Sequence, residues 1–140
     1  MSRTPSEAQP VQLIFDFDST IVAIEGLDEL ARLALADDPQ RTRTMEAIEA
    51  ITRDGMTGAI GIDESLRTRL AMLTIKRSHV DALVKLLKRR LSPSFRKHIA
   101  AVRRNADRIH VVSSGFREYV EPVCAELGIP AERVHCNEFR

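Results

Sequence analysis

A short apolar run that ends in two carboxylates, followed by a long stretch of helical periodicity, constrains this chain more than any other feature. Val11-Gln12-Leu13-Ile14-Phe15 reads as a buried strand. Asp16-Phe17-Asp18-Ser19-Thr20 follows at once. Side chains alternate along a strand with period two, so Asp16 and Asp18 start out pointing the same way. Two like charges this close are unfavourable unless a cation or a proton joins them. In open α/β sheets, ligands bind beyond the carboxyl ends of strands. Asp, Ser and Thr are also common in turns and helix caps, so these five residues could simply cap the next helix.

After the strand the chain turns helical for roughly 70 residues. Leu27–Ala36 and Arg41–Thr52 carry apolar residues at helix spacing, and Gly55, Gly58 and Gly61 then break the pattern. A third helix is expected from about Asp63 to Leu73. A fourth has Ser78 as N-cap and Asp81 at its third position, with the stripe Val80, Leu83, Val84, Leu87. Ser92-Pro93 marks a further helix start, running to about Arg104. A second strand, Ile109–Val112, ends at Ser113-Ser114-Gly115. A helix over Phe116–Leu127 stops at Gly128, and Val134-His135-Cys136 reads as a third strand. Alternating strands and helices predict an α/β fold with a parallel sheet and right-handed crossovers. A four-helix block directly after the first strand is no simple crossover and reads as a cap over the strand ends. The expected division is a disordered tail at residues 1–10, a core at 11–22 and 91–140, and a helical cap at 23–90.

Bulk properties exclude several classes. The formal net charge of +1 gives no general argument for nucleic-acid or membrane binding. The basic stretch from Lys85 to Arg108 lacks the interleaved aromatics of a single-strand binding groove and reads as a solvated helical face. No apolar run approaches a membrane span, and Met1–Pro10 lacks the apolar core of a secretion signal. Cys124 and Cys136 are too few for a disulfide scaffold and lack metal-ligand spacing, so they read as reduced thiols of a cytoplasmic protein. The four histidines are scattered, with no zinc-type pair on one helix face.

Ser113-Ser114-Gly115 offers a hydroxyl and backbone N–H groups at the start of a helix, a place that binds phosphate readily. Serine and glycine also make ordinary turns. The combination with Asp16 and Asp18 is the stronger signal, because both segments should lie on one edge of the sheet.

These motifs resemble those of the haloacid dehalogenase superfamily and, within it, the phosphoserine phosphatases. The resemblance runs from about Val11 to Glu138. Asp16–Thr20 matches the first family motif, and Ser113 within Val112–Phe116 the second. Glu25–Ala31 resembles the opening of the helical cap. Met56-Thr57-Gly58 and Leu66–Leu70 resemble cap segments that close on substrate. It implies a Rossmannoid parallel sheet with a helical-bundle cap after strand one. It also implies a Mg²⁺-dependent hydrolysis of O-phospho-L-serine to L-serine and phosphate. Asp16 would be the nucleophile and Asp18 the acid and base, with both at the metal. Ser113, Ser114, Gly115 and Met56 would lie at the substrate, with Glu25 facing its ammonium and Arg69 its carboxylate. Without the resemblance, Glu25 and Arg69 read as ordinary helix-surface charge. Two positions depart from the family pattern. Ser114 stands where glycine is usual, and Ile62 where an aromatic is common.

The resemblance also calls for a lysine and an acidic Gly-Asp loop after the second motif. The last lysine is Lys97 and the last aspartate Asp107, both before Ser113. The expectation is therefore a chain that lacks C-terminal strands, has little activity by itself, and leaves Val11–Phe15 at an unpaired apolar edge. Its partners are expected to be a small phosphomonoester, with a dimer or a missing C-terminal segment as possible completions, and neither nucleic acid nor membrane. A related phosphatase or phosphotransferase with another small metabolite stays open. So does a fragment that only binds a ligand or partner. A response-regulator receiver is opposed by the long helical insert.

Overall fold

The computed structural model describes residues 11–140; the expected tail at 1–10 lies outside them. The described residues divide into two compact units. One holds the residues up to Ala23 together with Leu91–Arg140, and the other holds Ile24–Arg90.

The first unit is built on three parallel strands, β1 (Leu13–Phe15), β2 (Ile109–Phe116) and β3 (Val134–Asn137), in the order β1-β2-β3. The register pairs Leu13 with Ile109, Ile14 with His110 and Phe15 with Val111. On β3, Val134 pairs with Val111 and His135 with Val112. Helices connect the strands: α5 (Pro93–Lys97) and α6 (Ile99–Arg104) before β2, and α7 (Arg117–Glu126) between β2 and β3. Ile109, Val111 and Val134 are buried with Tyr119, Val120, Val123 and Leu127 of and after α7. Phe15 meets Phe95 of α5 edge-on at 5.2 Å. Gly128 ends α7 with φ +77°, a left-handed residue that glycine adopts without steric cost.

The chain leaves and re-enters this unit at one place. Val22 and Leu91 form an antiparallel bridge. Ser92 N–H donates to Ile21 O at 2.9 Å, and Ser92 Oγ donates to Thr20 O at 2.5 Å and Ile21 O at 3.2 Å. Ser92 was expected to cap the following helix with its hydroxyl. It makes no such cap, because the hydroxyl is spent on this junction. The helix expected over 92–104 is broken at His98, where φ −109° and ψ 19° leave the helical region.

The second unit is all helical: α1 (Gly26–Ala34), α2 (Arg41–Thr57), α3 (Ile62–Ala71) and α4 (Arg77–Arg89). Leu30, Ala31, Leu35 and Ile48 are buried, with Met45, Met72 and Leu73 packed against Ala31, Leu35 and Ile48. The fourth helix begins one residue before the expected cap. Lys76 takes the N-cap position, and its N–H donates to His79 Nδ1 at 3.2 Å.

Gly55 was expected to break the second helix; instead α2 runs through it to Thr57. A Cβ at Gly55 would sit 2.7 Å from both Cβ and Oγ of Ser65, which is buried in α3 and donates to Ile51 O at 3.0 Å. Glycine is there so that two helix backbones can approach. Helix propensity alone would make Gly55→Ala stabilising by about 1 kcal/mol. The contact reverses the sign. Gly55→Ala should destabilise by about 1–3 kcal/mol in urea unfolding, with part of the loss recovered by adding Ser65→Gly.

Candidate active site

Asp16 and Asp18 lie immediately beyond β1 and flank Phe17, which is fully buried. Asp16 is exposed and Asp18 half-buried, as expected for two side chains that share the side away from Phe17. Phe17 O accepts from Ile21 N–H at 2.9 Å, with Val22 N–H at 3.2 Å and Thr20 N–H at 3.3 Å. The chain therefore folds into a tight turn directly after the second carboxylate. Ser19 completes that turn with φ 53°, a left-handed conformation that costs a non-glycine residue on the order of 1 kcal/mol. Asp16 Oδ1 accepts from Phe17 N–H at 2.7 Å, which fixes the carboxylate beside the strand end.

Ser113, Ser114 and Gly115 belong to the strand next to β1. They were expected in a loop after strand two, but β2 continues through them to Phe116, with an irregular register between Val112 and Phe116. Phe116 pairs with Asn137, whose Nδ2 donates to Ser114 O at 2.8 Å, so tertiary pairing holds extended a segment that locally reads as a turn. Helix α7 then starts at Arg117. Because Phe15 is in register with Val111, the next residues on each strand bring Asp16 and Ser113 out at neighbouring carboxyl ends. Gly115 N–H donates to Ser113 Oγ at 2.9 Å, which orients that hydroxyl. A Cβ at Gly115 would meet Tyr119 Oη at 2.8 Å and Ser113 Oγ at 3.1 Å, and Tyr119 is fully buried. Gly115 therefore keeps the bend close over α7. Ser114 is exposed and stands beside the bend with its N–H group retained.

Glu25, Met56 and Arg69 lie in the helical unit. Glu25 is the N-cap of α1 and exposed, with no side-chain cap bond. Met56 lies in the last turn of α2 and is 85% exposed, an unusual place for so apolar a side chain. Ile62, the other departure from the family pattern, is also largely exposed at the start of α3. Arg69 is half-buried and held by two helices: Nε donates to Ser65 O at 3.3 Å and Nη1 to Thr52 Oγ1 at 3.2 Å. Arg69 is thus more than loose surface charge.

The residue that sequence reasoning missed is Asp28 on α1. Burial raises its carboxyl above the ordinary range; Arg69 opposes that shift, and Glu25 adds to it. Asp28 therefore lies within electrostatic reach of both Glu25 and Arg69. Nothing in the sequence marks it, because the three are joined only by helix packing. An acid whose folded-state value is raised contributes stability while protonated, and that contribution is lost as pH rises through the folded value. Asp28→Asn should therefore gain stability over the parent chain as pH rises from 3 to 7, which parallel urea titrations would measure. Cys124 is buried and its thiol is pushed up to about 12, so it is inert packing, and Cys136 is likewise raised by burial.

The model of the haloacid dehalogenase-like hydrolase family matches residues 13–140. Human phosphoserine phosphatase is 32% identical over 126 residues, which cover 90% of this chain and 52% of the human one. Among solved structures, a phosphoserine phosphohydrolase-like protein from Francisella tularensis superposes with a TM-score of 0.77 at 27% identity, covering 91% of this chain and 58% of that one. A phospho-aspartyl intermediate analogue of phosphoserine phosphatase superposes with a TM-score of 0.66 at 26% identity, covering 94% and 58%. The chain spans about half the length of the curated relatives it matches.

Proposed function

The chain belongs to the haloacid dehalogenase-like hydrolases, and from that membership we propose a phosphomonoesterase of the phosphoserine phosphatase type. The observation that carries this reading is the pairing of strand ends. Asp16 and Asp18 leave β1 where the neighbouring β2 presents Ser113 and Gly115. A phosphoryl group needs a nucleophile, a proton donor for its leaving group and donors for its oxygens, and these four residues are of those types.

In the proposed cycle, a carboxylate oxygen of Asp16 attacks phosphorus and the bond to the substrate oxygen breaks. Asp18 protonates that departing oxygen, which leaves as serine. Asp18 then takes a proton from water as the water attacks the aspartyl-phosphate, and the bond between phosphorus and Asp16 breaks to release phosphate. Ser113 Oγ and the N–H groups of Ser114 and Gly115 hold phosphoryl oxygens. Glu25 would face the substrate ammonium, Arg69 its carboxylate and Met56 its carbon chain, with the helical unit acting as a cap. For Arg69, the support is its fork held by Thr52 and Ser65.

The donor set fits a hard divalent cation. Mg²⁺ is commonly bound through one or two carboxylates, waters and substrate phosphate, and Asp16 and Asp18 supply two carboxylates. Among the described residues, no group of three acidic, His or Cys side chains gathers into a fuller metal cage. When bound, Mg²⁺ would offset the charge of the phosphate and carboxylates and polarise the phosphoryl group.

The 140 residues contain no lysine after Lys97 and no aspartate after Asp107, so this chain by itself is proposed to turn over slowly. Phosphate release from O-phospho-L-serine tests the reading, measured with Mg²⁺ and with EDTA on an active form of the protein that contains these residues. Hydrolysis that needs Mg²⁺ and prefers phosphoserine to phosphothreonine and glycerol phosphate supports it. Equal rates on all three would leave a less selective phosphatase of the same family. Turnover by the 140-residue chain at ordinary enzyme rates, 1 s⁻¹ or more on the order of typical values, would overturn the slow-turnover proposal.

A further inference from the structure

The sheet has helices on one face only. Both crossovers step in the same direction, β1 to β2 to β3, so connections of one hand put α5, α6 and α7 on the same side. The opposite face presents Ile14, 70% exposed, and Val112, 49% exposed, beside His110 and His135. Parallel sheets are otherwise found with both faces covered by helices, because their strands are apolar on both sides.

The polar part of this bare face is already arranged. Arg133 Nη1 donates to His110 Nε2 at 3.0 Å and to Gln12 Oε1 at 3.4 Å. A guanidinium has only donors, so His110 Nε2 must be the acceptor and the ring proton lies on Nδ1. That proton faces His135 Nε2 at 3.2 Å, with the two rings stacked at 5.4 Å. The chain Arg133, His110, His135 therefore runs in one direction and locks the guanidinium in place. Only Nη1 is used. The Nε–H and the two Nη2–H groups of Arg133 have no acceptor among the described residues. That edge has the geometry of a two-pronged carboxylate contact.

The geometry points to this face as the docking surface for an amphipathic helix that carries a carboxylate on its apolar side. The carboxylate takes the free edge of Arg133, and aliphatic side chains cover Ile14 and Val112. A second copy of the chain is the poorer occupant. The face consists of Gln12, Ile14, His110, Val112, Arg133 and His135, and it offers no acid to another Arg133.

The test is binding of the part of the human relative that lies outside the matched stretch, made as a separate polypeptide, to the 140-residue chain, read by calorimetry. A one-to-one complex is expected. It should weaken about tenfold or more with Arg133→Glu and again with Ile14→Asp, and keep its affinity with Lys85→Glu, an exposed charge reversal in the helical unit. Ile14 is exposed, so its substitution should leave the thermal melt near that of the parent chain. Absence of a complex, or a complex indifferent to Arg133→Glu and Ile14→Asp, overturns the inference. So does self-association of the chain that those two substitutions abolish.

Discussion

Asp16→Asn is expected to lower phosphate release from O-phospho-L-serine by on the order of 10⁴-fold while leaving the fold intact. The two effects separate because the side chain has two jobs. As a nucleophile it must carry an anionic oxygen, and an amide oxygen is far too weak to displace an alkoxide from phosphorus. As a structural group it only accepts the Phe17 N–H bond at 2.7 Å, which the Asn carbonyl oxygen can still do. Asp16 is exposed, so no buried charge is removed. Thermal melts of the two proteins should overlap within a few degrees. Activity within tenfold of the parent would remove Asp16 from the proposed cycle. A collapse of the melt would mean that the loss of rate reports folding rather than chemistry.

Phe17→Ala is the substitution expected to cost most stability, about 3–5 kcal/mol in urea unfolding. Phe17 is fully buried, and its backbone carbonyl is the acceptor around which the turn to Val22 closes. A domain of this size has roughly 5–15 kcal/mol in total, so the variant should be partly unfolded near body temperature. Phe17→Leu fills most of the volume and should cost less than about 1.5 kcal/mol. The contrast bears on chemistry as well. Asp16 and Asp18 are placed only because the residue between them is anchored, so activity should follow the stability series. A Phe17→Ala protein as stable as the parent would contradict the assigned role of this side chain.

The parts legible in the sequence were those with local causes. Two carboxylates after an apolar run, a proline after a serine and a glycine after a helix each act through a few adjacent residues. The elements that were misread have partners far away in the chain. Gly55 reads as a break, yet it sits inside a helix because Ser65 crosses it. Ser113-Ser114-Gly115 reads as a loop, yet Asn137 and Phe116 keep it on the sheet. Ser92 reads as a cap, yet its hydroxyl serves Thr20 and Ile21. Asp28 has no local signature because its neighbours Glu25 and Arg69 reach it only through helix packing. Asp16, Asp18 and Ser113 were legible as candidates, but the register that sets Asp16 beside Ser113 was not, since strand pairing has no trace in a single strand.

The bridge between Val22 and Leu91, with the Ser92 bonds beside it, has a consequence for how such a chain can change. It is a two-stranded neck through which the helical unit is both entered and left. To the sheet, everything beyond the neck is a single closed loop, and each doubling of a flexible loop's length adds only about 0.6 kcal/mol of closure entropy. A helical insert of another length or shape could be spliced at Ala23 and Arg90 without disturbing the turn that holds Asp16 and Asp18. The carboxylates and the residues that would choose their substrate are then free to vary independently. The neck is a graft point, where the same phosphate chemistry can be fitted with a different selector.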